Sequence, residues 1–200
     1  DVLTGKVNPC GKLADTIARQ YEDYPSSKNF GGKEFNRYEE DIFVGYRYFE
    51  TFGKEKVLYP FGYGLSYTQF QVLENELVCE ENGYRINVTV ENTGAYAGQE
   101  IVMAWCQTPQ GKLKKASRVL VAYGKSDILQ PGESGKVSLT FDDACMASYD
   151  ETGASGFRYA FVMEAGTYHI YLGEAVEVNE GVNTSGTYVI GTPVWDNQSI

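Results

Sequence analysis

Three consecutive carboxylates, Glu39, Glu40 and Asp41, are the residues best placed by type and spacing to exchange protons. Neighbouring carboxylates raise one another's pKa, which is what a general acid or base requires. The cluster, however, precedes the apolar run from Ile42 to Phe52, at the amino end of that run. Because ligands of open α/β sheets bind beyond the carboxyl ends of the strands, we expect a solvated or interface-bonded cluster here.

Two further polar residues lie inside apolar runs. Arg47 interrupts the run that follows the acidic cluster, and a buried guanidinium must be paired, so we predict a salt bridge to that cluster or to a segment outside this chain. His169 is the only histidine, and it alternates with Tyr168 and Ile170, which predicts a surface or edge position. A single histidine completes neither a zinc triad nor a catalytic triad with an evident nucleophile. We therefore expect no metal site and no cofactor site.

The charge balance limits the classes of partner. The chain has 17 basic and 27 acidic residues, a net charge of −10. Such a surface repels phosphate backbones and anionic lipids, and no apolar run approaches the length of a membrane span. We expect partners that are neither nucleic acids nor membranes.

The four cysteines indicate a reducing compartment. Cys10, Cys79, Cys106 and Cys145 form no CxxC pair, so a structural zinc site is not indicated. A chain of 200 residues with 42% apolar content does not need disulfides for stability. We expect free, mostly buried thiols, which favours the cytoplasm, with secretion as the alternative. Because the opening residues contain no Met and no leader pattern, we expect that the sequence is part of a longer protein.

From Phe70 onward the pattern is that of an all-β protein. The stretch "YRINVTVENTG" alternates Ile86, Val88 and Val90 with polar residues. Roughly seven such segments, separated by turn residues, are typical of a β-sandwich. The pattern predicts a sandwich over residues 71–178 and an extra strand or linker, with "GTYVIG", over residues 179–200.

Residues 1–70 have a different character. The stretches "VNPCGKLADTIARQYEDYPSS" and "NFGGKEFNRYEE" leave room for a short helical turn and a loop. The run "DIFVGYRYFETF" is continuously aromatic and β-branched, which predicts a strand covered on both faces. This segment alone cannot cover such a strand, so we interpret it as the end of an α/β domain that begins upstream.

Several ordered motifs give the chain a specific resemblance. The stretches "DVLTGKVNPCGKLADTIARQYEDYP", "YEEDIFVGYRYFE" and "LYPFGYGLSYTQF" resemble the closing motifs of the second domain of family 3 glycoside hydrolases, the β-glucosidase group. The stretches "VTVENTGAYAGQEIVMAWCQTP", "MASYD" and "EAGTYHIYLG" resemble their fibronectin type III-like domain. The resemblance runs from Asp1 to about Ala175. Cys10 departs from it, since the family usually has Ser there.

The resemblance implies both a fold and a division of labour. The fold would be mainly β, a fibronectin type III-like (immunoglobulin-like) sandwich preceded by the tail of an α/β sandwich domain. Retaining glycoside hydrolysis needs a nucleophilic and an acid/base carboxyl group, and the family takes both from regions that this chain does not match. The resemblance thus implies an inactive, non-catalytic portion of a β-glucosidase-like enzyme. Its partners would be the rest of the parent enzyme, namely the (β/α)8 barrel domain of the family and the remainder of the α/β sandwich domain. They would also include a β-glucoside bound by the parent, and a second copy if the parent is a homodimer.

The glycine-broken aromatic segment Leu58–Phe70 would link the two domains of such an enzyme and pack between them. Pro60 fixes φ, and the glycines allow close approach of the backbone. The rings that we expect to supply buried area are those of Tyr59, Phe61, Tyr63 and Tyr67. The alternative function is a carbohydrate-binding module without hydrolysis, in which these tyrosines, or a strip of exposed Tyr or Trp on one sheet face, stack on a sugar.

Overall fold

A computed structural model of the chain describes residues 1–173, 176–177 and 181–190. The fold is mainly β, as the sequence predicts. Within the described part of the chain, no helix is long and apolar enough to cross a membrane.

The N-terminal segment has little regular structure. Two short strands, β1 (Ile17–Ala18) and β2 (Val57–Tyr59), pair antiparallel across its two ends. Between them lie the 3₁₀ turns Tyr21–Asp23 and Pro25–Lys28 and one helix, α1 (Tyr46–Phe52). The first stretch therefore holds short helical turns, as predicted.

The predicted two-faced strand "DIFVGYRYFETF" is wrong, because its second half forms α1. Gly45, with a φ of 56°, lies directly before the helix and lets the backbone change direction there. Tyr46 and Phe49 lie three residues apart on one helical face, and Phe49 is buried against the ring of Tyr24, with ring centroids 5.6 Å apart. Short apolar runs fit a strand or a helix equally well by pattern, and here contacts between distant residues decide for the helix.

Two sheets form the sandwich. The first has the order β3–β4–β7 and the second β11–β10–β5–β6, with β12 also paired to β10. The strands of the first are β3 (Phe70–Glu80), β4 (Gly83–Asn92) and β7 (Ser134–Phe141). Those of the second are β5 (Ile101–Gln107), β6 (Val119–Lys125), β10 (Gly166–Leu172), β11 (Val176–Glu177) and β12 (Val182–Thr184).

The core lies between these sheets and follows the predicted alternation. Ile86, Val88 and Val90 are each at most 1% exposed and belong to one cluster with side chains of the facing sheet, among them Ile170. Removing such side chains from water is the main favourable contribution to folding. Cys106 lies in the same cluster, and burial raises the pKa of its thiol to about 12.

All four cysteines are free thiols in this structure, but only Cys106 is buried. Cys79 and Cys145 are exposed, so the expectation of mostly buried thiols is wrong. Both exposed thiols lie near the rim of the sandwich, outside the alternating core positions that the sequence pattern identifies.

A third sheet, of order β13–β9–β8, contains the extra strand predicted from "GTYVIG". Its strands are β8 (Ser148–Asp150), β9 (Ala160–Met163) and β13 (Tyr188–Ile190). The hydroxyl of Tyr188 donates to Asp143 Oδ2 at 2.8 Å, and that of Tyr84 donates to Asp143 Oδ1 at 2.8 Å. These bonds tie β13 to the sandwich, while the predicted domain boundaries themselves stay a prediction.

Candidate functional site

The acidic cluster lies at the surface of the N-terminal segment. Glu39 and Asp41 are exposed and Glu40 is half-buried. Among the described residues none of the three carboxylates takes part in an ion pair. They precede a helix and not a parallel strand, so the argument from the ends of strands does not apply to them.

The predicted salt bridge between Arg47 and the acidic cluster is not seen among the described residues, and a pairing with a segment outside this chain stays a prediction. Arg47 is exposed, and its guanidinium lies 6.0 Å from the ring centroid of Tyr46, with no carboxylate partner among the described residues. The error follows from the wrong strand assignment, since the helix turns Arg47 away from the buried face of Phe49.

Replacing Arg47 with methionine is therefore expected to change the free energy of unfolding of this chain by less than about 0.5 kcal/mol, as for most exposed positions. Urea unfolding followed by circular dichroism measures this. A loss above about 2 kcal/mol would show that the guanidinium has a buried partner after all.

His169 lies in β10 opposite Gln107 of β5 and is half-buried. Its neighbours Tyr168 and Ile170 are at most 1% exposed, so the predicted alternation is confirmed. Within the part of the chain that the structure describes, no group of three or more His, Cys, Asp or Glu side chains could hold a metal ion.

The most developed site in the chain is the junction between the N-terminal segment and the sandwich. Trp105 of β5 lies at its centre and is only 7% exposed. The rings of Tyr46 and Phe61 contact it edge-on, with centroids 5.2 Å and 5.6 Å from that of Trp105. Aromatic pairs in this geometry add stabilisation beyond the area that they bury. The outer face of β5 is therefore covered by the segment that precedes the sandwich.

Arg118 extends this aromatic cluster on the side of β10. Its guanidinium carbon lies 5.3 Å from the ring centroid of Trp105 and 5.7 Å from that of Tyr171, distances at which a cation is attracted to an aromatic face. The guanidinium also donates to the carbonyl oxygen of Gly173 at 2.8 Å. Arg118 thus joins the junction to the end of β10.

Helix α1 is hydrogen-bonded to the start of β6. Ser117 Oγ donates to the carbonyl oxygen of Glu50 at 2.8 Å, and the Ser117 amide donates to Thr51 Oγ1 at 3.0 Å. The Leu120 amide donates to the hydroxyl of Tyr46 at 3.1 Å. Because Tyr46, Glu50 and Thr51 lie on one side of a short helix, these bonds fix its orientation as well as its position.

Two asparagines attach the end of the linker to the sandwich. Asn8 accepts from the Tyr67 amide at 2.9 Å and donates to the carbonyl oxygen of Ala97 at 2.9 Å. Asn92 is fully buried, accepts from Thr68 Oγ1 at 2.6 Å and donates to the carbonyl oxygens of Tyr96 and Leu129. Buried polar groups satisfied in this way specify one arrangement of the chain.

The four linker rings are not equally buried. Phe61 packs on Trp105, whereas Tyr59, Tyr63 and Tyr67 remain 41%, 38% and 45% exposed. The three tyrosines are therefore less buried in this chain than expected, and their packing between two domains stays a prediction. Tyr59 and Tyr63 lie against each other with centroids 4.9 Å apart, but their planes are tilted by 48°, so they form no flat platform.

A cleft of about 380 Å³ lies beside the aromatic cluster, between the linker and the first residues of β3 and β5. Two carboxylates line it, but both are ion-paired: Glu50 with Lys54 at 3.1 Å, and Glu100 with Lys12 at 3.0 Å. The Lys12–Glu100 pair joins the N-terminal segment to the sandwich. Both carboxylates therefore serve as ion-pair partners of lysine side chains in the structure.

Sequence reasoning did not identify Trp105 as the centre of the junction. A signal was present, since Ala104, Trp105 and Cys106 are successive large or apolar residues in a strand that otherwise alternates. All three are buried, and the register with β6 shifts between Ala104 and Trp105. A strand that buries successive residues has both faces covered.

Comparisons with known proteins match both parts of the chain. Residues 1–67 match the glycosyl hydrolase family 3 C-terminal domain, and residues 100–176 match the fibronectin type III-like domain. The chain is 47% identical over 175 residues to a β-glucosidase from Ruminococcus albus, covering 88% of the chain and 18% of that protein. It is 33% identical over 208 residues to thermostable β-glucosidase B from Acetivibrio thermocellus, covering 100% of the chain and 27% of that protein.

The fold is similar to that of solved structures. The crystal structure of a β-glucosidase from Paenibacillus barengoltzii matches with a TM-score of 0.86 and 44% identity, over 96% of this chain and 22% of that one. β-Glucosidase 3B from Thermotoga neapolitana, solved in complex with glucose, matches with a TM-score of 0.77 and 38% identity, over 96% of this chain and 26% of that one. The chain thus spans less than a third of the length of the relatives that it matches.

Proposed function

The chain belongs to glycosyl hydrolase family 3, through the C-terminal domain at residues 1–67 and the fibronectin type III-like domain at residues 100–176, and from this premise we propose that it is the non-catalytic, scaffolding portion of a retaining β-glucosidase-like enzyme. The parent hydrolyses terminal β-D-glucosyl residues. This portion holds the neighbouring domains in place and contributes no catalytic, cofactor-binding or metal-binding residue.

The observation that carries the proposal is the uncovered apolar surface of the N-terminal segment. Leu3 is 97% exposed, Tyr38 91% and Phe30 76%, whereas the side chains of the core between the two sheets are at most 8% exposed. An apolar surface of this kind marks a contact with another protein or domain. Its occupant in this proposal is the rest of the parent enzyme, namely the remainder of the α/β domain and the barrel domain.

The junction around Trp105 supports the scaffolding role. Two aromatic contacts, the hydrogen bonds of Ser117 and the Lys12–Glu100 ion pair join the segment to the sandwich along one continuous surface. A segment fixed in this way would hold the sandwich in a defined position relative to the domain that packs on the other side of the segment. If the parent enzyme is a homodimer, we propose that this portion also contributes contacts between its two copies.

The carbohydrate-binding alternative finds less support. It requires a flat strip of exposed aromatic rings, and Trp105 is buried. The rings of Tyr149 and Phe161 are partly exposed on neighbouring strands, but their planes are tilted by 57°. We do not propose it.

The purified 200-residue chain, folded by circular dichroism, is expected to release no nitrophenol from nitrophenyl β-glucoside above the buffer rate, because both catalytic carboxyl groups lie outside it. The full-length parent enzyme at the same molar concentration is the positive control. Turnover by the chain that disappears in Glu50→Gln or Glu100→Gln, the two carboxylates of the cleft, would contradict the proposal.

A further inference from the structure

The loop between β5 and β6, residues 108–118, contains a buried ion pair. Lys115 Nζ lies 2.7 Å from Glu164 Oε2, and the two side chains are 2% and 6% exposed. Glu164 follows β9 directly. A buried ion pair is weak evidence for stability, because removing two charges from water offsets most of their attraction. The presence of this buried pair is therefore better explained by a structural role than by a contribution to stability.

Glu164 organises the backbone of this loop. Its Oε1 accepts from the Lys112 amide at 2.7 Å, and its Oε2 accepts from the Leu113 amide at 3.3 Å. Burial raises the pKa of Glu164, but the hydrogen bonds from Lys115 and the Lys112 amide outweigh burial and lower it overall. The carboxylate is therefore held in its charged, acceptor-only form.

Two other contacts fix the loop on the same side. Lys115 Nζ donates to the carbonyl oxygen of Pro109 at 2.8 Å, which closes the loop on itself. A Cβ atom at Gly111 would lie 2.5 Å from Glu164 Oε1 and 2.6 Å from its Oε2, so any larger residue there would have to displace the carboxylate. The loop is thus shaped around Glu164.

The far end of the loop holds helix α1. Ser117 lies two residues after Lys115, and it makes both hydrogen bonds to Glu50 and Thr51 that were described above. The loop therefore connects the buried carboxylate of Glu164 to helix α1 of the N-terminal segment.

We propose that Glu164 and Lys115 are positioning residues, which shape the loop over residues 108–118 so that Ser117 can hold helix α1 in one orientation. This inference deepens the proposed scaffolding function, because it names the device that fixes the N-terminal segment against the sandwich. The order of action is from Glu164 to the loop and from the loop to the helix.

Hydrogen exchange of the backbone amides in the full chain tests this order. Glu164→Gln removes the charge, and Gly111→Ala displaces the carboxylate while both charges remain. Both variants are expected to speed the exchange of the Lys112, Ser117 and Leu120 amides at least about tenfold more than that of the β4 amides of Ile86 and Val88, which follow the global free energy of unfolding. Thr51→Ala, at the far end, is expected to speed only the Ser117 amide. Glu80→Gln, which breaks the exposed Arg85–Glu80 pair, is the control and is expected to change none of these amides.

Two results would overturn the inference. If Lys112 exchanges faster in Glu164→Gln and Gly111→Ala while Ser117 and Leu120 keep their control rates, then the loop and the helix are independent. If the exchange of the β4 amides and that of the loop amides speed up by the same factor in both variants, then the ion pair acts only on global stability. Neither readout involves glycosidase activity, so a failure here is distinguishable from a failure of the proposed function.

Discussion

Replacing Trp105 with alanine is expected to lower the free energy of unfolding by about 3–5 kcal/mol, the usual cost of truncating a buried Trp. The indole is only 7% exposed and contacts Tyr46, Phe61 and the guanidinium of Arg118. Its removal leaves a cavity under the linker and removes the surface on which the N-terminal segment rests. Urea unfolding at neutral pH, followed by Tyr fluorescence and circular dichroism, measures the loss.

Tyr123→Ala is the matched control, since Tyr123 is an aromatic residue of the adjacent strand β6 that is 72% exposed. Its loss is expected to cost less than about 1 kcal/mol, as at most surface positions. Trp105→Phe, which keeps an aromatic ring in the site, is expected to lie between the two. Equal losses for Trp105→Ala and Tyr123→Ala would mean that the junction contributes nothing to the stability of this chain.

The second large effect is expected at Asp150, the last residue of β8. Its carboxylate is fully buried and accepts hydrogen bonds from the amides of Thr152, Gly153, Ala154 and Ser155 and from the Ser155 hydroxyl. Asp150→Ala leaves these donors without an acceptor, so we expect a loss of about 3 kcal/mol or more at pH 7. Chemical denaturation measures it, and the exposed Asp127 offers a control, Asp127→Ala, that is expected to be nearly neutral.

The same carboxylate makes the stability depend on pH. Burial raises the pKa of Asp150, but the hydrogen bonds from Ser155, Gly153 and Ala154 outweigh burial and lower it from 3.8 to about 2. Because the folded state has the lower pKa, this contribution is fully present above pH 4 and is lost as the pH falls from about 4 to about 2. The loss amounts to about 2 kcal/mol.

Unfolding of Asp150→Asn should therefore lose this part of the acid dependence. The difference in unfolding free energy between the unsubstituted chain and Asp150→Asn is expected to shrink as the pH is lowered from 5 towards 2, since Asp150 becomes increasingly protonated over this range. A difference that stays constant across this range would mean that the Asp150 pKa is not lowered by folding.

The parts of the fold that the sequence predicted are those that depend on local alternation. Ile86, Val88 and Val90 repeat with the period of a strand, and each was correctly assigned to the core. The sequence predicts a strand where the structure has helix α1. In this short aromatic run the choice between helix and strand depends on rings that lie far along the chain, such as Trp105.

The candidate site was predictable only in outline. The breakers and rings of the linker, together with the resemblance to family 3 glycoside hydrolases, pointed to a junction, and Phe61 packs there as expected. The contact of Phe61 with Trp105 could not be predicted, since Trp105 is more than forty residues away in sequence and gives no pattern that connects it to the linker. The same holds for Lys115 and Glu164, whose pairing requires the second and third sheets to be placed first.

The pairing of β13 with β9 bears on how the gene should be divided for expression. A cut at the end of the fibronectin type III-like match, residue 176, would remove β12 and β13. The edges of β10 and β9 that these strands cover would then offer unpaired amides and carbonyls to other chains, a template for aggregation. Fragments of this protein should accordingly extend past the end of the fibronectin type III-like match and through residue 190, because β12 and β13 cover the edges of these sheets.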